Sequence, residues 1–171
     1  MIIGNGDIAK VLTDREDLIF FASGVSNSKE ERPIEFEREM KLLLQQPRNK
    51  HLVYFSSLSI YYAKTEYARH KRIMEKTIRN HWESFTIVRL GNIDWGINPN
   101  TLINYLKAHP DATVQNVYRH IVSIDEFKYW LGLIKVGTQN EMNIPGKMVY
   151  VPHLFRSLHP LPGRDIKHDY L

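Results

Sequence analysis

Apolar segments that end in small or polar residues alternate along this chain with segments of helical pattern. One of them, Asp17–Ser23, has the continuous apolar character of a strand buried on both faces of a parallel sheet. Two more strands are predicted at His51–Ser57, which begins apolar and ends in two serines, and at Phe85–Leu90, which is rich in β-forming residues. Helical patterns at about 30–46 and 65–82 separate them. This alternation predicts an α/β fold in which a parallel sheet carries helices on both faces.

Composition limits the class of protein. The 171 residues, 43% of them hydrophobic, predict one globular domain over residues 1–171. The absence of cysteine excludes disulfides and cysteine-ligated metals and makes the cytoplasm the expected location. Since no apolar run reaches about 18 residues, no membrane span is expected. The net charge of +4 favours an anionic partner without choosing among nucleotides, phosphorylated sugars and nucleic acid.

A glycine-containing turn follows the first apolar residues, which form the end of a strand at most. Its members are Gly4, Asn5, Gly6, Asp7, Ile8 and Ala9. The spacing is that of a dinucleotide-binding turn: Gly4 permits a tight turn, Gly6 lets a pyrophosphate approach the backbone, and Ala9 allows close packing. A helix is predicted from this turn to about Arg15, and its N-terminus would offer N–H groups to phosphates.

Other small or polar residues stand at predicted strand ends. They are Ala22, Ser23 and Gly24 after the second strand, Ser56 and Ser57 after the third, and Leu90, Gly91 and Asn92 after the fourth. Ligands of parallel α/β sheets bind at the carboxyl ends of the strands. We therefore expect all of these residues to meet the glycine turn at one rim of the sheet.

Tyr67 and Lys71 are four residues apart and share one helix face, which Met74 and Ile78 continue. A phenol titrates near pH 10, and a neighbouring lysine cation lowers its pKa, so the pair is a candidate proton donor and acceptor. Ser57 is placed to hydrogen-bond a substrate oxygen. By itself the spacing favours the simpler interpretation, because this pair occurs by chance on many helices and a buried tyrosine usually serves packing.

Taken in chain order, the motifs resemble the extended, nucleotide-sugar-modifying branch of the short-chain dehydrogenase/reductase superfamily over about residues 1–145. The matching segments are Gly4–Ala9, Ala22–Gly24, Phe55–Tyr61 (FSSLSIY), Tyr67-x-x-x-Lys71-x-x-x-Glu75, Arg89–Gly96 (RLGNIDWG) and Arg119–Asp125 (RHIVSID). The resemblance implies a Rossmann-like fold. It also implies epimerisation, reduction or dehydration of a sugar nucleotide, each beginning with hydride transfer at a carbon that bears oxygen.

The resemblance assigns roles to the candidate residues. Tyr67 would be the catalytic acid and base, Lys71 would bind the nicotinamide ribose and lower the pKa of Tyr67, and Ser57 would orient the substrate oxygen, with Asn92 near the substrate. The residues expected to hold NAD or NADP are Gly4, Asn5, Gly6, Asp7, Ile8, Ala22, Ser23, Gly24, Tyr67, Lys71 and Leu90. Members of the family often form homodimers through the helices predicted here at about 30–46 and 65–82.

The chain departs from the family pattern in its length. Two strand-helix units after the glycine turn are missing, so the strand number is reduced and the first strand becomes an edge strand. Ala22–Ser26 offers neither an acid nor an arginine for the adenosine ribose, which a Rossmann fold supplies about 20 residues after the glycines. Leu90 replaces the usual proline. These departures leave a second hypothesis open, a binding or regulatory protein on the same fold with weakened cofactor binding.

The rest of the chain gives weaker signals. A helix is predicted at Thr101–Ala108, a strand at Val117–Ile124, and a helix to about Lys135 that the capping box of Ser123 and Glu126 begins. A last strand is predicted at Met148–Val151, followed by an irregular tail. We expect the residues from about 92 onward to form a small substrate-side portion.

Two further classes of ligand are not expected. Basic residues crowd the helix at 65–82, but Arg72, Lys76 and Arg79 follow the spacing of an ordinary solvated face, so nucleic acid is not the expected partner. None of the eight histidines has a partner at H-x-x-x-H or H-E-x-x-H spacing, so no metal is expected.

Overall fold

The computed structural model describes residues 1–160. This part of the chain contains eight strands and five α-helices. The strands are β1 Ile2–Ile3, β2 Leu18–Phe21, β3 His51–Ser57, β4 Phe85–Leu90, β5 Asn92–Ile93, β6 Tyr118–Val122, β7 Gln139–Ile144 and β8 Lys147–Tyr150. The helices are α1 Pro33–Leu44, α2 Glu66–His81, α3 Leu102–Ala108, α4 Ile124–Gly132 and α5 Val151–Leu158.

A five-stranded parallel sheet in the order β1-β2-β3-β4-β7 forms the centre of the molecule. The parallel α/β prediction is therefore confirmed. β1 lies at the edge of this sheet beside β2, with Ile2 opposite Phe20, as the missing strand-helix units led us to expect. The carboxyl ends of β1 to β4 consequently reach one rim without an intervening strand.

Two apolar cores cover the two faces of this sheet, as predicted. One core packs α1 and α2 on the sheet through Leu43, Met74 and Ile78. The other packs α4 on the opposite face through Phe127. The alternation of side chains along each strand explains the division, since neighbouring residues point to opposite faces. In β3, for example, Tyr54 belongs to the first core and Phe55 to the second.

The chain after Gly91 builds a second, three-stranded sheet in the order β5-β6-β8. β5 was not predicted as a strand, but it pairs in parallel with β6, with Asn92 opposite Ile121. β6 and β8 match the strands predicted at Val117–Ile124 and Met148–Val151, and they pair antiparallel. This sheet continues directly from β4 and therefore stands at the same rim.

The helix predicted from the glycine turn to Arg15 is wrong. The structure has a single 3-10 turn, Ala9–Val11, and the chain is already extended at Leu12. The residues that follow are needed to return the chain so that Leu18 can enter the sheet next to β1. A helix of three residues has no appreciable N-terminal dipole, so the expected phosphate site at its N-terminus is lost.

The C-terminal elements differ most from expectation. β7 was not predicted, because its sequence QNEMNI is mainly polar and only Ile144 in it is fully buried. The segment after Val151 was predicted to be irregular, yet α5 forms there, with Pro152 in its first turn, where proline is tolerated. The predicted irregular tail beyond residue 160 lies outside the described residues. The N-cap at Ser123 is confirmed, since its hydroxyl accepts a hydrogen bond from the Glu126 N–H at 3.2 Å.

Residues 1–160 contain neither a membrane-spanning helix nor a cluster of side chains suited to a metal ion. None of the helices there is long and apolar enough to cross a membrane. No group of three or more histidine, aspartate or glutamate side chains in this range is arranged to hold a metal ion.

Candidate active site

A cleft of about 1090 Å³ opens at the carboxyl ends of β1 to β4. The sequence-predicted residues that line it are Asn5, Gly6, Asp7, Ile8, Ala22, Ser23, Gly24, Ser57, Tyr67, Lys71, Leu90 and Asn92. The expected convergence on one rim is thereby confirmed. Gly4 does not line the cleft, because it lies beneath the turn and packs against Ala22.

The glycine turn owes its shape to Gly4. This residue has φ +125°, a conformation that residues with a side chain rarely adopt, and a Cβ there would stand 2.4 Å from the Ala22 carbonyl oxygen. At Gly6, by contrast, an added Cβ would meet nothing within 4 Å. Gly4 therefore brings β1 close to β2, while Gly6 leaves open backbone at the cleft.

The loop after β5 folds over the glycine turn. The Asp7 carboxylate accepts a hydrogen bond from the Asn98 N–H at 2.8 Å, and the Trp95 indole donates to the Asp7 carbonyl at 3.2 Å. Gly96, with φ +91°, allows the Asp7 side chain to approach its backbone. Asp7 thus ties the glycine turn to the second sheet, which the sequence pattern did not indicate.

Tyr67 lies in the first turn of α2 with its side chain almost fully buried. Burial raises the pKa of Tyr67 above its usual value, and the Glu39 carboxylate adds to the rise, whereas the Lys71 cation and a hydrogen bond with Ser57 lower it. The sequence prediction considered only the lysine. Its contribution has the predicted sign, but burial outweighs it, so the pKa of Tyr67 is raised rather than lowered.

Lys71 is held by a buried carboxylate. Its side chain is 2% exposed, and its Nζ donates to Glu39 Oε1 at 2.9 Å and to the Tyr54 hydroxyl at 3.1 Å. Nζ also lies 5.6 Å from the centre of the Tyr67 ring. Gly24 makes room for this arrangement, because a Cβ there would stand 2.7 Å from Nζ and 3.0 Å from Glu39 Oε1.

Glu39 is the main feature of the site that sequence reasoning missed. It lies on α1 with no exposed side-chain surface. A signal was present in the sequence: Glu39 stands three residues after Phe36 and four before Leu43, so it shares the apolar helix face with them. Burial raises the pKa of Glu39, but the Lys71 cation and hydrogen bonds from His70, the Val25 N–H and Tyr54 outweigh it and set the pKa at about 2.

A second buried ion pair supports the strand end that carries Ser57. Arg89 on β4 donates to both carboxylate oxygens of Glu75 on α2, at 2.9 and 2.6 Å. Glu75 also accepts a hydrogen bond from the Ser56 hydroxyl at 2.7 Å. These contacts fix α2 against β3 and β4 below the cleft, and so fix the relative positions of Ser57 and Tyr67.

Two polar side chains that line the cleft, Asn92 and Ser59, differ in their hydrogen bonding. The Asn92 side-chain amide donates to the His120 carbonyl at 3.0 Å. The Ser59 hydroxyl lines the cleft and is buried without a hydrogen-bond partner among residues 1–160. Ser59 is therefore a further candidate for contact with a ligand, which the sequence analysis did not select.

The charged residues that line the cleft are Asp7, Lys29, Arg38, Lys71 and Arg119. Four of these are basic, and Lys71 is paired with Glu39 behind the cleft wall. Arg38 reaches back from α1 to the Ser23 carbonyl, at 3.3 Å. The surplus of cations gives the cleft an affinity for anions.

Comparison by sequence gives no relatives: no protein-family model matches the chain, and neither does any curated protein sequence. Comparison of structures does give matches. The chain is similar to UDP-N-acetylglucosamine 4-epimerase from Methanobrevibacter ruminantium in complex with UDP-N-acetylmuramic acid, at 14% identity and a TM-score of 0.63. That match covers 86% of this chain and 60% of the epimerase chain.

Two other similar structures hold dinucleotides. WbmG from Bordetella bronchiseptica, solved in complex with NAD, has a TM-score of 0.65 at 10% identity over 83% of this chain and 55% of its own. The dTDP-4-dehydrorhamnose reductase from Bacillus anthracis, in complex with NADP, has a TM-score of 0.60 at 11% identity over 83% of this chain and 61% of its own.

The chain thus spans 55 to 61% of the length of the three solved chains that it matches. At 10 to 14% identity the likeness establishes the fold. The resemblance predicted from the motifs is confirmed at that level: the chain has the Rossmann-like fold of these three longer chains, in a shortened form.

Proposed function

We propose that this protein is an NAD- or NADP-dependent enzyme that epimerises, reduces or dehydrates a sugar nucleotide or a related sugar. The observation that carries the proposal is the meeting of Ser57, Tyr67 and Lys71 with the glycine turn in one cleft. The fold alone does not imply the activity, since one fold hosts many functions. The side chains in the cleft do support it.

The residues present fit the nicotinamide half of such a cofactor better than the adenosine half. Tyr67, Lys71 and Leu90 line the part of the cleft where the nicotinamide riboside would lie, and Gly6 leaves open backbone for the pyrophosphate. On the adenosine side, β1 is the edge strand and a three-residue 3-10 turn replaces a helix. Asn5, Asp7, Ile8, Ala22, Ser23 and Gly24 would complete the contact with the dinucleotide.

The proposed roles of the chain's own residues follow from their chemistry. A bound nicotinamide would supply the hydride acceptor or donor. Tyr67 would exchange a proton with the substrate oxygen, which the Ser57 hydroxyl would orient. Lys71 would donate a hydrogen bond to the ribose and stabilise the phenolate of Tyr67. Asn92, on β5, would contact the substrate.

The charge and the second sheet of the cleft favour a sugar nucleotide as substrate. Lys29, Arg38 and Arg119 would meet the phosphates of the two ligands. Among the similar structures, one holds a UDP-sugar and another holds NAD together with UDP. The three-stranded sheet and its helices after residue 91 would then form the substrate side of a single domain.

Replacement of Tyr67 by phenylalanine tests the proposal. We expect Tyr67→Phe to lower kcat on the turned-over sugar nucleotide by about a hundred- to ten-thousand-fold, because the proton donor is removed. The measurement is turnover of a panel of UDP- and dTDP-sugars in the presence of NAD or NADP. Tyr62→Phe is the matched control, since Tyr62 also lines the cleft but is exposed. Turnover that survives in Tyr67→Phe contradicts the proposed role.

The alternative is a binding or regulatory protein that has lost cofactor chemistry. Two observations favour it: the position of β1 at the edge of the sheet and the short turn after the glycines. A mass spectrum of small molecules released on denaturing the purified protein separates the two. A nicotinamide dinucleotide excludes the alternative, whereas a sugar nucleotide alone supports it.

A homodimer through α1 and α2 stays a prediction. The outward surfaces of these helices expose Ile34 and Leu44 on α1 and Ile73 on α2. Exposed apolar side chains on two neighbouring helices are suited to a partner helix pair. Light scattering tests the prediction, and a monomer mass at high protein concentration would exclude it.

A further inference from the structure

Glu39 stands behind the cleft wall and has no place in the proposed chemistry, yet it makes the strongest contacts that Lys71 has. We propose that Glu39 is a positioning residue that fixes Lys71 Nζ at the cleft and couples the charge of Lys71 to the proton-transfer site. The proposal rests on the function proposed above. It assigns to α1, through Glu39, a direct part in how the site works.

The carboxylate of Glu39 is fully satisfied. Oε1 accepts hydrogen bonds from Lys71 Nζ at 2.9 Å and the Tyr54 hydroxyl at 2.7 Å. Oε2 accepts from the Val25 N–H at 2.7 Å and from His70 Nε2 at 3.1 Å. Charge-assisted hydrogen bonds of this kind fix their donors more firmly than neutral ones. A carboxylate bound from four directions holds Lys71 in one place.

The contacts of Lys71 with Glu39 and Tyr54 leave one N–H donor of its ammonium group available. An ammonium group has three N–H donors. Among residues 1–160, Glu39 and Tyr54 accept two of them, and Lys71 lines the cleft while Glu39 does not. Nζ can therefore hydrogen-bond a ligand in the cleft without leaving Glu39. The ion pair is compatible with the role proposed for Lys71, and it sets the direction from which Nζ approaches the ligand.

The ion pair also controls charge at the site. An ammonium buried without a counterion tends to lose its proton or to move toward solvent. The titratable groups that face Lys71 are Tyr67 and His70 on its own helix, Tyr54 on β3 and Glu39 on α1. Of these, Glu39 is the carboxylate in direct contact with Nζ. Removing the charge of Glu39 should therefore weaken the binding of a ligand by the Lys71 ammonium. The effect should be greatest at alkaline pH, where an ammonium group is easiest to deprotonate.

The test compares NADH affinity at about pH 7 and about pH 9.5 in the wild type, Glu39→Gln and the matched control Glu37→Gln. Glu37 lies on the same helix and is exposed. Glu39→Gln keeps the shape of the side chain and removes its charge. We expect its NADH dissociation constant to rise about tenfold at the lower pH and further at the higher pH, with Glu37→Gln unchanged. The deciding quantity is the NADH dissociation constant of Glu39→Gln divided by that of the wild type. A value near one, or a value that is the same at both pH values, overturns the proposal.

A second variant separates the effect of the position of the carboxylate from the effect of its charge. It also keeps the proposal testable if Glu39→Gln does not fold. Glu39→Asp keeps the carboxylate but shortens its reach by one methylene group. We expect it to weaken NADH binding by the same factor at both pH values. If the weakening of NADH binding in Glu39→Asp depended on pH as it does in Glu39→Gln, the proposed effect of the Glu39 charge on Lys71 would be overturned.

A measurement without cofactor distinguishes this proposal from the proposed function. The Cε signal of isotope-labelled Lys71, assigned by its loss in Lys71→Met, reports in NMR spectra when the ammonium loses its proton. We expect the Lys71 ammonium to lose its proton at a lower pH in Glu39→Gln than in the wild type. If the wild type binds NADPH alone, the same comparison is made with NADPH. If it binds neither NADH nor NADPH, the proposed function fails, and this titration alone decides the role of Glu39. Identical titration of Lys71 in both proteins overturns that role.

Discussion

At the residue scale, the candidate site depends on two buried charges that face each other, Lys71 on α2 and Glu39 on α1. Each alone would be costly to bury, and together they make a satisfied hydrogen-bonded group. The spacing of Tyr67 and Lys71 made the lysine recognisable in the sequence, because a tyrosine and a lysine on one helix face can form a proton-transfer pair. Nothing of that kind marked Glu39, whose only signal was a charged residue on an apolar helix face.

The pairing predicts strong coupling between the two residues. Lys71→Met should lower the free energy of unfolding by about 3–5 kcal/mol, because it leaves the Glu39 carboxylate buried without its cation. Adding Glu39→Gln should recover part of that loss. Urea denaturation of the wild type, both single variants and the double variant measures the coupling. Lys76→Met, an exposed position on α2, is the control, and simple additivity of the two single effects would contradict the pairing.

The low pKa of Glu39 predicts a loss of stability in acid. Its pKa is lowered from 4.5 in the unfolded chain to about 2 in the folded protein. The resulting stabilisation is fully present above about pH 4.5 and disappears as the pH falls toward about 2. Its size is on the order of 3 kcal/mol.

Urea denaturation between about pH 5 and about pH 2 measures this contribution. The free energy of unfolding should fall less steeply with pH in Glu39→Gln than in the wild type. Part of the decline remains in both proteins, since Arg79 and Arg89 also hold the pKa of Glu141 at about 2. Equal slopes in the two proteins would show that Glu39 does not titrate as the structure implies.

At the scale of the elements, the sequence predicted best where one physical signal was strong. β2 is continuously apolar, β3 and β4 are mainly apolar, and all three are fully or almost fully buried. α1 and α2 have apolar faces with clear boundaries. α2 also begins at Thr65, whose hydroxyl accepts a hydrogen bond from the Ala68 N–H at 3.2 Å. Burial and capping thus determined these elements locally.

The elements that sequence reasoning missed are determined by tertiary contacts. β7 has a polar sequence, and it is a strand because β4 offers it a pairing edge. The predicted helix before Arg15 does not form, because the chain must return to place β2 beside β1. No local pattern records either requirement, and this is why the phosphate site expected at that helix N-terminus was also wrong.

The two glycines of the first turn give a test at this scale. Gly4→Ala should lower the free energy of unfolding by about 1–3 kcal/mol or more, because of its positive φ and the contact with Ala22. Gly6→Ala should leave stability within about 1 kcal/mol but weaken NADH binding, since its methyl group would stand at the cleft. Urea denaturation and NADH titration of both variants measure the two effects. A stable Gly4→Ala, or a Gly6→Ala that binds NADH as the wild type does, would contradict these roles.

At the scale of the whole molecule, the sheet order decides what the cleft can hold. Ser57 at the end of β3 and Tyr67 and Lys71 on α2 line one part of the cleft, with the three-stranded sheet beside them. On the other side, β1 is the edge strand, so the part of a dinucleotide beyond the pyrophosphate has no strand to cover it. The departures from the family pattern thus concern the adenosine side, and the three residues proposed for chemistry all line the cleft.

Titration of the wild-type protein with NADH and NADPH, followed by nicotinamide fluorescence, tests most directly whether this cleft serves a nicotinamide cofactor. We predict a saturable change in fluorescence with at least one of the two, because Tyr67, Lys71 and Gly6 line the surface on which the nicotinamide ribose and the pyrophosphate would lie. The absence of any change with either cofactor up to millimolar concentration would contradict the account.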